Sequence, residues 1–158
     1  MKPVVLFTYG EGGHQAQANR LAKLLKIELE DFDFISLSDS KVQAEWSVKH
    51  YIANELRGKH QRIGLFKFQS FINILSSIKK VKKENRLKVI ISTGPGISVL
   101  SALYLKLFGV KVIHIETWSR FTSKSLTGRV MYYLANEFLV QNKSLLKVYP
   151  KAKYSGRL

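Results

Sequence analysis

Short apolar runs alternating with helix-length amphipathic segments constrain this chain more than any other feature. Residues 4–8, 88–93 and 110–115 are strand-length and rich in Val and Ile, as strands buried on both faces require. Between them, residues 13–26 and 97–108 repeat apolar side chains at helical spacing, and Gly109 suits the end of the second helix. Strands separated by helices predict an α/β fold with a mostly parallel sheet wound on both faces. Ligands of such sheets bind at the carboxyl ends of the strands.

The remaining segments fit the same plan. Residues 32–37 alternate as a second strand, followed by a turn at 38–40. A helix near 43–57 is one reading of the next segment, with a long connection around Gly58. Residues 64–83 form an amphipathic helix. Leu65, Phe68, Phe71, Ile72, Leu75 and Ile78 fall on its apolar arc, and Lys79, Lys80, Lys82 and Lys83 lie at its end. Packing on the sheet is the ordinary role of such a helix, and contact with a membrane surface is the alternative. Residues 119–124 read as a polar loop, 127–137 as a helix and 138–141 as a short strand. The tail, 149–158, adds a last turn and strand.

Two of the strand-to-helix junctions carry glycine loops. The first is Gly10-Glu11-Gly12-Gly13-His14, and the second is Thr93-Gly94-Pro95-Gly96. The free N–H groups and positive dipole end of a helix N-terminus favour an anion there, and glycine lets a ligand approach the backbone. Each loop is equally readable as a plain turn. The first lacks both the dinucleotide spacing and the Lys-Ser/Thr of a P-loop. His14 adds to the functional reading, because an imidazole can take and return a proton near neutral pH. Glu11 opposes it, since a carboxylate repels phosphate unless it points outward. A third element, Glu116-Thr117-Trp118-Ser119-Arg120, follows the strand at 110–115. Glu116 there can bind hydroxyls or orient a base, or simply pair with Arg120. All three loops belong to the same rim of the predicted sheet.

Composition narrows the chemistry. The 158 residues are 46% apolar and suffice for one lobe with a real core. The chain has no cysteine, which excludes disulfides and thiolate metal sites. His14, His50, His60 and His114 show no ligand spacing, so no metal is expected. The last three read as structural. The run at the N-terminus is too short for a signal peptide, and no apolar stretch reaches the ~18 residues that span a bilayer. These features predict a cytoplasmic protein. The net charge of +15 is uneven: within 57–88 Glu84 is the only carboxylate among many Lys and Arg. Such blocks suggest an anionic partner.

The loops, in this order, resemble a known family. G-x-G-G-H, S-T-G-P-G, and E-T-W-S-R followed by S-L-T-G-R-V-M-Y-Y-L-A, F-L-V-Q and Y-P-K-A-K-Y-S-G look like the membrane-associating subunit of the bipartite N-acetylglucosamine transferase of dolichol-linked oligosaccharide synthesis. They look still more like its bacterial relatives in capsule and exopolysaccharide synthesis. The first loop is also similar to that of the lipid II-forming transferase of peptidoglycan synthesis. The resemblance implies a single Rossmann-like lobe, equivalent to the N-terminal, acceptor-side half of a GT-B glycosyltransferase. It implies inverting transfer from a UDP-sugar, without cofactor or metal, to a polyprenyl-diphosphate-linked acceptor. The donor would be held mainly by a separate donor-binding subunit in a heterodimer, at the inner face of the plasma membrane on anionic lipid.

By the same resemblance, His14 and Glu116 are the candidate catalytic residues. Gly10, Gly12, Gly13, Thr93, Gly94, Gly96 and Arg120 would hold the acceptor and its phosphates. Glu11, Gln15 and Thr93 depart from the family pattern, which has a small residue, threonine and asparagine there. The competing class is a basic nucleic-acid-binding module, supported by the charge and by aromatics such as Trp46 and Phe66. The basic residues match no recognition helix or zinc module, so nucleic acid is not the expected partner.

Overall fold

A computed structural model describes residues 2–53 and 68–158. The chain forms a single α/β lobe around a seven-stranded sheet in which every neighbouring pair is parallel. The elements are β1 (Val4–Tyr9), α1 (Gly13–Glu28), β2 (Asp33–Ser38), β3 (Lys49–Ile52), α2 (Phe68–Glu84), β4 (Leu87–Ser92), α3 (Gly96–Lys106), β5 (Lys111–Ile115), α4 (Leu126–Leu134), β6 (Glu137–Val140) and β7 (Lys153–Tyr154), with a 3₁₀ turn at Lys143–Lys147. Strand order is β3-β2-β1-β4-β5-β6-β7. The chain leaves β1 to one side and later returns to its other side with β4. The crevice between β1 and β4 is therefore the topological switch point.

Two apolar cores cover the sheet. Leu6, Ile35, Ile90 and Val112 point to one face and pack with Ile74, Ile78 and Val81 of α2, Ala102 and Leu105 of α3, and Met131 of α4. Val5, Phe7, Phe34 and Ile91 point to the other, where α1 contributes Ala18 and Ala22. The parity follows from the alternation of side chains along a strand.

The structure corrects several boundaries. No helix occupies 43–57 among the described residues: 49–52 is the edge strand β3, paired with 35–38 of β2. Tertiary contacts override the local pattern there. Trp46 packs 4.8 Å from the Phe7 ring, and Ser36 Oγ bonds both Ser47 and His50 Nδ1. Residues 54–67, including Gly58, His60, Phe66 and the start of the expected helix at 64–83, lie outside the described residues.

The described part of that helix packs on the sheet, but through Ile74, Ile78 and Val81, while Ile72 is exposed. The buried stripe is thus rotated from the expected arc. Lys79, Lys80 and Lys83 are exposed. Helix α3 ends two residues earlier than expected, and Gly109 closes the following turn with φ +75°. Helix α4 stops at Leu134, and Asn136, just before β6, pairs with both backbone groups of Val112.

Candidate functional site

The loops after β1, β4 and β5 meet in one cleft of about 280 Å³ at the carboxyl rim. His14 comes from the first, Thr93 and Gly94 from the second, and Glu116, Arg120 and Ser125 from the third. The convergence is built from close approaches. A Cβ on Gly10 would lie 2.7 Å from Pro95 Cδ, so the first loop can seat the second only with glycine there. Gly94 has φ +93°, and a Cβ on it would lie 2.9 Å from His14 Cε1. Gly94 is therefore fixed both by backbone conformation and by the imidazole lying against it.

Gly10, Gly12, Gly13 and Gly96 shape the loops rather than line the cleft. Gly12 caps α1 with φ +82° and Gly96 opens α3; neither helix has a side-chain cap at its N-terminus. No side chain therefore competes with an anion for the N–H groups that open the two helices, of which the Ser98 N–H of α3 already donates to the Pro95 carbonyl at 2.9 Å. Glu11 is exposed, and its N–H donates to Asp39 Oδ1 at 2.9 Å.

His14 is held in one tautomer. Its Nδ1 lies 2.5 Å from the Thr93 carbonyl oxygen. A carbonyl only accepts, so Nδ1 carries the proton and Nε2 of the neutral ring keeps its lone pair. Thr93 Oγ1 in turn donates to the His14 carbonyl at 3.0 Å.

Glu116 is 2% exposed and already engaged. Oε1 accepts from the Thr117 N–H at 3.0 Å, and Oε2 accepts from Ser125 Oγ at 3.0 Å and Tyr149 OH at 2.8 Å. Burial first, and then the carboxylate, push the Tyr149 hydroxyl well above its ordinary range, so it stays protonated and donates. A Cβ on Gly128 would overlap Glu116 Oε2 and lie 2.5 Å from Tyr149 OH, so glycine is required where α4 begins. The Glu116–Arg120 ion pair does not form among the described residues. Arg120 is exposed and donates to Ser123 Oγ at 3.1 Å, and its loop is pinned by Asn142 and Ser144.

One lining residue has a place in the cleft that its sequence reading missed. His114 is 1% exposed, its Nδ1 is 2.9 Å from Ser92 Oγ, and its Nε2 has no hydrogen-bond partner among the described residues. Burial, and next the charge of His14, lower its imidazole to about 3, so it is neutral at pH 7. The signal lay in the strand ends. Thr8, Ser92 and His114 share one register row across β1, β4 and β5, where otherwise apolar strands turn polar. His50 is structural: its nitrogens bond Ser36 Oγ at 2.7 Å and the Ser40 carbonyl at 2.9 Å. Among the described residues no group of three or more His, Asp or Glu is placed to hold a metal ion.

Residues 4–158 match the family described as "Oligosaccharide biosynthesis protein Alg14 like". The UDP-N-acetylglucosamine transferase subunit ALG14 of Kluyveromyces lactis is 30% identical over 100% of this chain and 80% of its own length. The subunit of the same name in Rattus norvegicus is 27% identical over 98% of this chain and 82% of its own. Among solved structures, MurG of Acinetobacter baumannii superposes with a TM-score of 0.67 at 16% identity, over 100% of this chain and 44% of that one. A UDP-N-acetylglucosamine 2-epimerase gives a TM-score of 0.65 at 13% identity, over 96% of this chain and 45% of that one. At these identities the two structures share the fold, and this chain spans less than half of each.

Proposed function

The chain belongs to the Alg14-like family of oligosaccharide biosynthesis proteins, and from that premise we propose that it is the acceptor-side subunit of a split inverting glycosyltransferase. In this reading a separate donor-binding subunit holds a UDP-sugar over the carboxyl rim. The sugar passes to an acceptor linked to a polyprenyl diphosphate. The curated relatives carry names of transferase subunits, which supports a shared catalytic assembly. This chain alone is then expected to transfer little or nothing.

One observation carries the proposal: the first two glycine loops are locked together through Nδ1 of His14, a residue that lines the cleft, which leaves Nε2 as the ring nitrogen able to act as a base. An acceptor hydroxyl attacking an anomeric carbon must lose its proton, and a base within hydrogen-bond reach removes it. The uncapped starts of α1 and α3, with the exposed Arg120, suit the two phosphates. Glu116 takes a positioning role here instead of an acid–base one, because both of its oxygens already accept from its own chain. The chemistry needs no cofactor.

The finer setting belongs to the same proposal. Capsule or exopolysaccharide synthesis at the inner face of the plasma membrane is the pathway that the sequence resemblance implies. Among the described residues no helix is long and apolar enough to cross a membrane, and the exposed lysines of α2 would meet anionic lipid instead. A nucleic-acid module is disfavoured, because Trp46, one of the aromatics that supported it, is buried against Phe7 and is not open to stack on a base.

A photoreactive polyprenyl diphosphate tests which subunit holds the acceptor. In the assembled pair it should crosslink to peptides spanning residues 10–16 and 93–98 of this chain. Crosslinks confined to the donor subunit would refute the assignment.

A further inference from the structure

The cleft presents two imidazoles in complementary states, and the function proposed above uses only one. His114 sits at the carboxyl end of β5, between Ser92 on one neighbouring strand and Phe138 on the other. Its ring centroid is 5.2 Å from that of Phe138. The Gly94 N–H donates to Ser92 Oγ at 3.3 Å. The only acceptor that the described hydrogen bonds offer the Ser92 hydroxyl proton is His114 Nδ1, at 2.9 Å. With Ser92 donating to Nδ1, the neutral ring carries its proton on Nε2. That N–H is buried and unpartnered in a residue that lines the cleft. Buried donors without partners are rare in folded chains, and a bound ligand commonly completes them.

We infer that the Nε2–H of His114 donates to an uncharged oxygen of the sugar borne by the lipid-linked acceptor, and so helps decide which acceptor sugar enters. The inference rests on the acceptor-side reading above. A neutral donor fixed between two strands contributes direction without charge, which suits a hydroxyl or amide carbonyl. A diphosphate is better matched by the helix N-termini and Arg120. His14 and His114 then divide the work: His14 Nε2 accepts the attacking hydroxyl's proton, while His114 Nε2–H holds a neighbouring oxygen in place. A site built to bond a substrate oxygen discriminates strongly against analogues lacking it, because the buried donor is then stranded again.

The experiment uses the assembled pair with farnesyl diphosphates bearing glucose, galactose or N-acetylglucosamine. His114→Phe keeps a ring against Phe138 and removes the donor, and His114→Gln returns an amide N–H near the Nε2 position. His114→Phe should raise KM for the accepted lipid-linked sugar about tenfold with KM for the UDP-sugar unchanged, and His114→Gln should recover most of that loss. Sugar-free farnesyl diphosphate should inhibit wild type and His114→Phe equally. An unchanged acceptor KM, equal losses in both variants, or weaker inhibition of His114→Phe by the sugar-free lipid would overturn the inference. ¹⁵N spectra of histidine-labelled wild-type chain give a readout free of any folding defect: an Nε2 without its proton at pH 7 would overturn it as well. No product from the wild-type pair with any of the three lipids would instead remove the acceptor-side reading, and the inference with it.

Discussion

His14 and Thr93 are tied to each other twice: the ring Nδ1 donates to the Thr93 carbonyl at 2.5 Å, and Thr93 Oγ1 donates back to the His14 carbonyl at 3.0 Å. The two residues come from loops after different strands, so this reciprocal pair fixes one side of the switch-point crevice. It also sets the tautomer on which the proposed base depends.

Replacing the base should therefore separate chemistry from structure. His14→Ala should lower transfer by the assembled pair by roughly 10²- to 10⁴-fold, the usual worth of a positioned general base. Partner binding, followed by size-exclusion chromatography, should be unchanged. Thr93→Val removes only the returning hydrogen bond and should cost about 0.5–1.5 kcal/mol in chemical denaturation.

Gly128, in the first turn of α4, has no room for a side chain. An added methyl group would overlap the Glu116 carboxylate and crowd Tyr149 OH and Ser125 Oγ. Gly128→Ala should destabilise the chain by about 1–3 kcal/mol through overpacking beside a buried charge. A thermal melt within ~1 °C of wild type would contradict that packing.

The neutrality of His114 predicts an acid-sensitive stability. Its imidazole is lowered from 6.5 to about 3, chiefly by burial. Between those values the unfolded chain binds a proton that the folded chain refuses. The stabilisation is fully present above pH ~6.5 and is lost as pH falls toward ~3. Wild type should lose stability relative to His114→Phe with a slope approaching 1.4 kcal/mol per pH unit near pH 5. Urea titrations of both chains from pH 7 to pH 4 measure it, and parallel pH dependences would show that His114 charges freely when folded.

The exposed lysines of α2 should steer the chain to anionic lipid. Lys79→Gln, Lys80→Gln and Lys83→Gln together should weaken co-sedimentation with vesicles containing phosphatidylglycerol, by about 1 kcal/mol per removed charge. The wild-type interaction should fade above 0.5 M salt.

The elements that local pattern could reveal were the buried strands, the helices between them and the glycine loops at their junctions. Alternating hydrophobicity and backbone chemistry specify these within a few residues. What escaped depended on distant partners. Residues 49–52 are short and mixed in polarity, and become a strand where β2 offers an edge. The buried face of α2 was misplaced because the sheet, not the helix's own apolar arc, decides which side is covered. Glu116 read as a carboxylate for a ligand or for Arg120, because its actual partners Ser125 and Tyr149 lie 9 and 33 positions away. His114 was legible in principle, as a polar residue at the inward end of an apolar strand, but only with the register of Thr8 and Ser92 beside it.

Reconstitution tests the division of labour most directly. This chain, its candidate donor-binding partner and the mixture are each supplied with UDP-sugars and a polyprenyl-diphosphate-linked acceptor, and sugar transfer to lipid is measured. Product should form with the mixture and stay near background with either protein alone. The donor subunit transferring at the full rate without this chain would contradict the account.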